Sequence, residues 1–131
     1  MRSISTDKAP PPGGHYSQAV IHNDLVFVSG QLPVTETGEK ITGSIEEQTE
    51  QTLKNVAQIL TAAGSDLNNV LKVTVYISDI SLWGRVNDVY ARIFGDHKPA
   101  RAVVPTRELH YGFLVEIEAV AFIPEKRVFW H

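Results

Sequence analysis

The stretch that decides the fold is SIEEQTEQTLKNVAQILTAAG, Ser44–Gly64, followed shortly by VLKVTVYI, Val70–Ile77. In the first, Ser44 stands three residues ahead of Glu47. The serine hydroxyl can take the Glu47 amide proton while the Glu47 carboxylate returns to the Ser44 amide, the two halves of a capping box. Ile45, Thr49, Thr52, Leu53, Val56, Leu60 and Ala63 then recur at steps of three and four, which is one face of a helix. Gly64 stands where a left-handed C-terminal cap belongs. In the second stretch the period drops to two. Leu71, Val73, Val75 and Ile77 alternate with Lys72, Thr74 and Tyr76, the pattern of a half-buried strand.

Upstream, Tyr16–His22 and Leu25–Ser29 read as strands, and Asn23-Asp24 between them supplies turn residues that tolerate positive φ, so a hairpin is expected. Before them, Ala9-Pro10-Pro11-Pro12-Gly13-Gly14 is a stiff and then flexible lead-in that cannot be helix or central strand. Gly30–Gly43 reads as a long loop. Downstream, a second amphipathic helix runs from about Leu82 to Phe94, with Leu82, Val86, Val89, Tyr90 and Ile93 on its apolar side and Gly95 at its end. Arg101–Val104 follows as a strand stopped by Pro105, which cannot donate to a central ladder. In the last strand Val115, Ile117, Ala119 and Ala121 share one face, with Leu114, Glu116, Glu118, Val120 and Phe122 on the other. The order β-β-α-β-α-β-β predicts an α+β chain, a mixed sheet with both helices packed on one face. One domain over 1–131 is expected, with an extended lead-in over 1–14 and a short tail over 124–131. The outer face of the last strand mixes large apolar groups with carboxylates, a composition that suits a subunit interface; a wet sheet face is the simpler alternative.

Composition narrows the function. Among 131 residues, 43% are apolar and 21% charged, the balance of a globular chain. Twelve Lys and Arg against fifteen Asp and Glu give a net charge of −3, which argues against a dedicated nucleic-acid or anionic-membrane binder. There is no cysteine, hence no disulfide, thiolate zinc site or cysteine nucleophile. No apolar run approaches a membrane span and the first residues lack the apolar core of a secretory signal, so a soluble cytoplasmic protein is expected.

Five histidines, His15, His22, His97, His110 and His131, invite a metal reading, but none pairs at helical spacing and no HExxH occurs; no metal site is expected. Gly13-Gly14 lacks the Lys and Ser/Thr of a phosphate loop, and Ser17 and Ser29 sit in strands without a nucleophile elbow. What remains is Pro99-Ala100-Arg101 entering one strand and Glu116 on the next strand of the sequence. Arginine grips a carboxylate or phosphate in a bidentate fork, and a nearby glutamate can orient a water or carry its proton. From spacing alone the pair reads first as a structural Arg–Glu ion pair and second as a site.

Seven motifs in order carry a resemblance: Tyr16–Val20 (YSQAV), Val26–Pro33 (VFVSGQLP), Gln51–Val56 (QTLKNV), Val70–Tyr76 (VLKVTVY), Val86–Tyr90 (VNDVY), Pro99–Arg101 (PAR) and Val115–Ala121 (VEIEAVA). Together they resemble the RidA family, also known as YjgF, collinearly from about Ala9 to Phe122. The resemblance implies a chorismate-mutase-like subunit and a homotrimer with three sites in the clefts between subunits. It also implies hydrolysis of reactive 2-imino acids, 2-iminopropanoate and 2-iminobutanoate, to 2-keto acids and ammonia without a cofactor. Carried over by position, Arg101 matches the arginine that clamps the substrate carboxylate, and Glu116 the acid that positions the attacking water. Tyr16 and the Ser29-Gly30 turn match groups lining the pocket, and Asn87 matches an asparagine near it.

The chain also departs from the family pattern. Val103 stands where many members carry cysteine, leaving its backbone N–H for substrate. His15 stands where proline is common, the connection Gly95–Lys98 is short, and Arg107–Phe113 is bulkier than the Leu-Pro loops usual there. These differences motivate two alternatives: deamination of a larger unsaturated amino acid such as 2-aminomuconate, or a non-catalytic trimer binding small keto acids. Ribonuclease activity, also attached to the family, fits poorly with the acidic charge and the lack of an aromatic-basic stripe. The expected partners are a small anionic 2-imino or 2-keto acid and further copies of the chain, with no nucleic acid and no membrane. In the tail, Phe129 and Trp130 could dock on a neighbour or stay loosely ordered.

Overall fold

A computed structural model describes residues 1–125. The reading of the tail around Phe129 and Trp130 lies outside the described residues. The capping serine starts α1 (Ile45–Ala62): Ser44 Oγ accepts a hydrogen bond from the Glu47 amide at 3.2 Å. The Glu47 carboxylate lies over Gly43 rather than returning to the Ser44 amide, so the box is half closed. Gly64, at φ 87°, takes the left-handed position that ends the helix. Thr49 and Thr52 can face the core because their hydroxyls donate to the carbonyls of Ile45 and Gln48, one turn back.

Six strands form one sheet: β1 (Arg2–Ile4), β2 (Ala19–His22), β3 (Leu25–Gln31), β4 (Val70–Ile77), β5 (Ala100–Pro105) and β6 (Val115–Phe122). Their spatial order is β1-β2-β3-β6-β4-β5, with β4 and β5 parallel and every other neighbour antiparallel. α1 and α2 (Trp83–Phe94) cover one face, and the core lies between them and the inward residues of β3, β4 and β6. Val73, Val75, Ile77, Val115 and Ile117 are fully buried there against Leu53, Val56, Ile59 and Leu60.

Three local differences from the sequence reading have physical causes. Strand β1 was not expected; three residues are too few to show an alternation, and they pair with β2 ahead of the proline lead-in. Strand β2 begins at Ala19 and not at Tyr16, because Gln18 turns inward to fasten that lead-in. Its amide accepts from the Thr6 N–H at 2.7 Å and donates to the carbonyls of Thr6 and Pro10, each at 3.0 Å. Leu71 is exposed and Val70 buried, because a β-bulge between Val70 and Lys72 reverses the alternation there.

The sheet face away from the helices carries Phe27, Tyr76, Glu116, Glu118, Val120 and Phe122 with no covering element among the described residues. Phe27 is 45% exposed. Tyr76 donates its hydroxyl proton to Glu118 at 2.8 Å, which also holds the phenol pKa above its ordinary value. No helix among the described residues is long and apolar enough to cross a membrane.

Candidate functional site

Arg101 sits on β5 opposite Val73, so its side chain lies on the helix-covered face, under α2. Trp83, Asn87 and Tyr90 form one stripe of that helix, at steps of four and three, and all three meet the arginine. The guanidinium Nη1 donates to Asn87 Oδ1 at 2.8 Å, and Cζ lies 4.7 Å from the Tyr90 ring centroid and 5.5 Å from that of Trp83. An aromatic cradle of this kind attracts the cation without neutralising it. Among the described residues the ion pairs are Arg85–Glu46 and Arg92–Glu50, both at the surface, so Arg101 has no carboxylate partner there. The Tyr90 hydroxyl is buried without a hydrogen-bond partner among the described residues. Burial pushes its pKa up to about 12, against a small opposing effect of Arg101.

A cleft of about 460 Å³ opens beside this arginine, with Asn87, Tyr90, His97 and Pro99 in its walls. The His97 ring, 2.7 Å from the Val70 carbonyl, ties the short connection from α2 to β4. Val103, two residues beyond Arg101, lies on the same face, half-buried against the core.

Glu116 is elsewhere. On β6 it pairs with Tyr76 of β4 and belongs to the open face. A second bulge, between Val28 and Gln31, sets Ser29 and Gly30 against Glu118 alone. The Glu116 carboxylate folds over Gly30, and any side chain at 30 would collide with it. Burial raises the Glu116 pKa above 4.5 and repulsion from Glu118 adds to the rise, while the His110 charge opposes it. Ser29 spends its hydroxyl on the Ser17 carbonyl at 2.6 Å, holding the bulge together. Tyr16 is half exposed and accepts from the Gly13 N–H at 3.2 Å. Tyr16 and Gly30 line a cleft of about 410 Å³, whose far side is made by Lys40, His110 and Tyr111.

The seven sequence-predicted residues therefore fall into two groups. Asn87 on α2 and Arg101 and Val103 beneath it form one group; Glu116, Tyr16, Ser29 and Gly30 lie at that group's back, across the sheet. Strand β4 separates β5 from β6, and adjacent residues of a strand face opposite ways, so Arg101 and Glu116 cannot pair within one chain. This corrects the ion-pair reading. Among the described residues no three of His, Asp or Glu come together as a metal-holding group. Sequence reasoning missed Trp83 and Tyr90 as supports of Arg101, although their spacing from Asn87 marks one helical stripe. It also missed Lys40, which nothing local in the sequence links to Tyr111.

A family profile described as Endoribonuclease L-PSP matches residues 6–123. A RutC family protein of Pyrococcus horikoshii is 47% identical over 120 residues, covering 91% of this chain and 95% of that one. The 2-iminobutanoate/2-iminopropanoate deaminase of Homo sapiens is 43% identical over 121 residues, or 92% and 88% of the two chains. The crystal structure of yeast Mmf1 superposes with a TM-score of 0.91 at 40% identity, covering 94% of this chain and 98% of that one. With the strand order, the bulged Ser29-Gly30 turn and the Asn87–Arg101 contact in the same chain, these matches establish that it belongs to the RidA family, the family of Endoribonuclease L-PSP.

Proposed function

We propose that the chain is one subunit of a homotrimeric hydrolase that converts 2-imino acids to 2-keto acids and ammonia, with each site shared by two copies. The observation that carries this reading is the division of the site. A carboxylate-free arginine, held by Asn87 and two aromatic rings, opens on one face. A glutamate of raised pKa, folded over Gly30, opens on the other. Neither half suffices, and an uncovered sheet face of mixed chemistry is available to bring in the complement from a second copy. The names of relatives such as the human deaminase give the reaction class.

In this reading the guanidinium N–H groups not engaged by Asn87 grip the substrate carboxylate, next to the Val103 backbone N–H. Tyr16 and Gly30 of the other copy border the imine carbon. Glu116 aims one water at that carbon, accepts its proton as the C–O bond forms and returns it to the imine nitrogen, giving a carbinolamine. Breaking the C–N bond then releases ammonia as the hydroxyl proton passes to the departing nitrogen and the keto group forms. The raised pKa suits the exchange, since a carboxyl nearer the working pH both takes and returns a proton readily. Holding an already electrophilic carbon against one oriented water accounts for most of the acceleration required.

The test is subunit complementation in a coupled assay, with a PLP-dependent dehydratase generating the imine in place. Arg101→Ala and Glu116→Gln are each expected to lower turnover about 100-fold. Mixing the two variants by reversible dissociation is expected to restore about a quarter of parental activity, since random association leaves that share of sites with both groups intact. No recovery from a mixture shown to exchange subunits would refute the shared site, and no acceleration by the parent would refute the hydrolase.

A further inference from the structure

The cleft beside Glu116 is larger than an imine derived from alanine requires; at about 410 Å³ it lies within the range of pockets that hold drug-sized ligands. Two segments without a part in the hydrolysis form its outer side, the hairpin over 33–41 and the turn His110–Gly112. The hairpin is fastened at its base. Asn55, buried in α1, donates its side-chain amide to the carbonyls of Leu32 and Val34 at 3.1 and 2.8 Å. The Ile41 N–H closes the hairpin onto the Pro33 carbonyl at 2.9 Å, and Val34 bridges Lys40 across it. Lys40 is therefore carried on an anchored backbone.

The turn is strained in a way that places one ring. Tyr111 has φ 58°, left-handed without being glycine, and Gly112 follows at φ 72°. Such strain persists only where the surroundings impose it. Here they are aromatic and cationic: the His110 ring centroid lies 3.7 Å from that of Tyr111, the Phe113 ring meets it edge-on at 6.0 Å, and Lys40 Nζ stands 4.4 Å from its centroid. Tyr111 is 59% exposed and lines the cleft. Lys40 is in neither ion pair found among the described residues, and the positive charge that favours ionisation of Glu116 is that of His110, not of Lys40. The ammonium thus faces the cleft with its charge uncompensated by either.

We infer that Lys40 and Tyr111 form a specificity wall that takes a 2-imino acid bearing a second carboxylate. The ammonium binds the distal carboxylate and the tyrosine ring packs the carbon chain between the two ends. The inference rests on the imine-hydrolase reading for the near end of the substrate, where Arg101 of the other copy takes the first carboxylate. It adds the far end, and so a preference among substrates.

The stable keto acids test the wall without turnover. Calorimetric titration of the full-length chain at fixed ionic strength is expected to show 2-oxoglutarate binding about tenfold more tightly than 2-oxobutanoate, the margin of one charge-assisted contact. Lys40→Ala is expected to bring the two acids within about twofold, and Lys40→Arg to restore most of the gap. Equal affinities in the parent, or a gap that survives Lys40→Ala, would overturn the inference. Arg101→Ala weakening both acids alike reports on the clamp, and leaves the Lys40 comparison standing. A Lys40-dependent gap in a protein that hydrolyses no imine would support the wall and count against the hydrolase.

Discussion

At Glu116 the fold and the proposed chemistry pull in opposite directions. Its folded pKa is raised, chiefly by burial, so the folded chain favours the protonated form more than the unfolded chain does. That contribution is present in full below the ordinary value of 4.5 and is lost as pH rises through the folded value. Glu116→Gln keeps the shape and removes the ionisation. It is expected to be more stable than the parent in urea unfolding at pH 7, with the difference closing as pH falls below 4.5. A difference that stayed constant with pH would mean that the carboxylate is not what the fold resists. At this scale the sequence was informative where a residue type has one dominant use. Arg101 was picked out in this way, whereas Asn87 came only from the family resemblance, and the two meet at 2.8 Å. Ser29, which matches a pocket-lining group by resemblance, gives its hydroxyl to the Ser17 carbonyl, because a short hydroxyl beside a bulge finds the nearest carbonyl first.

Among the elements, those with a long period were legible from sequence: α1, β4 and β6 occupy nearly the spans that their apolar spacing predicts. What escaped was everything set by pairing across the sheet. Strand β1 is too short to show a pattern, and the two bulges shift register in ways that only the partner strand defines. The hairpin over 33–41 belongs here as well, since its anchor, Asn55, lies in a helix more than twenty residues away. Asn55 is 1% exposed, and replacing it by alanine strands two carbonyls. Asn55→Ala is expected to cost about 2 kcal/mol in urea unfolding. It is also expected to speed hydrogen exchange at the Ile41 amide by more than the global loss explains. Unchanged protection at Ile41 would show that the hairpin holds itself.

For the whole molecule, the open face is the largest feature that the chain does not explain by itself. Phe27, Val120 and Phe122 stand on it beside Glu116 and Glu118, where the carboxylates lie half-buried and Tyr76 is bonded to one of them. The sequence reading anticipated this mixture on the last strand, since alternation alone shows which residues share a side. It could not show that Arg101 and Glu116 take different sides, because β5 lies next to β4 and not next to β6. Phe27→Asp is expected to turn the proposed trimer into monomers in sedimentation velocity, and to lower the proposed imine turnover by about tenfold or more while the circular dichroism stays native. A monomeric parent, or a monomeric variant with full turnover, would contradict the shared site.

That division has a consequence for how the chain tolerates length changes. Facing in a strand is a parity, in or out, with nothing between. One residue inserted between Ala100 and Arg101 would carry the guanidinium off the rings of α2 and onto the side of Lys72 and Thr74, with no substitution made. Two residues inserted there would return it to its own side. Odd and even changes in β5 or β6 thus have different meanings: an odd change exchanges the chemical identities of the two faces, and an even one preserves them.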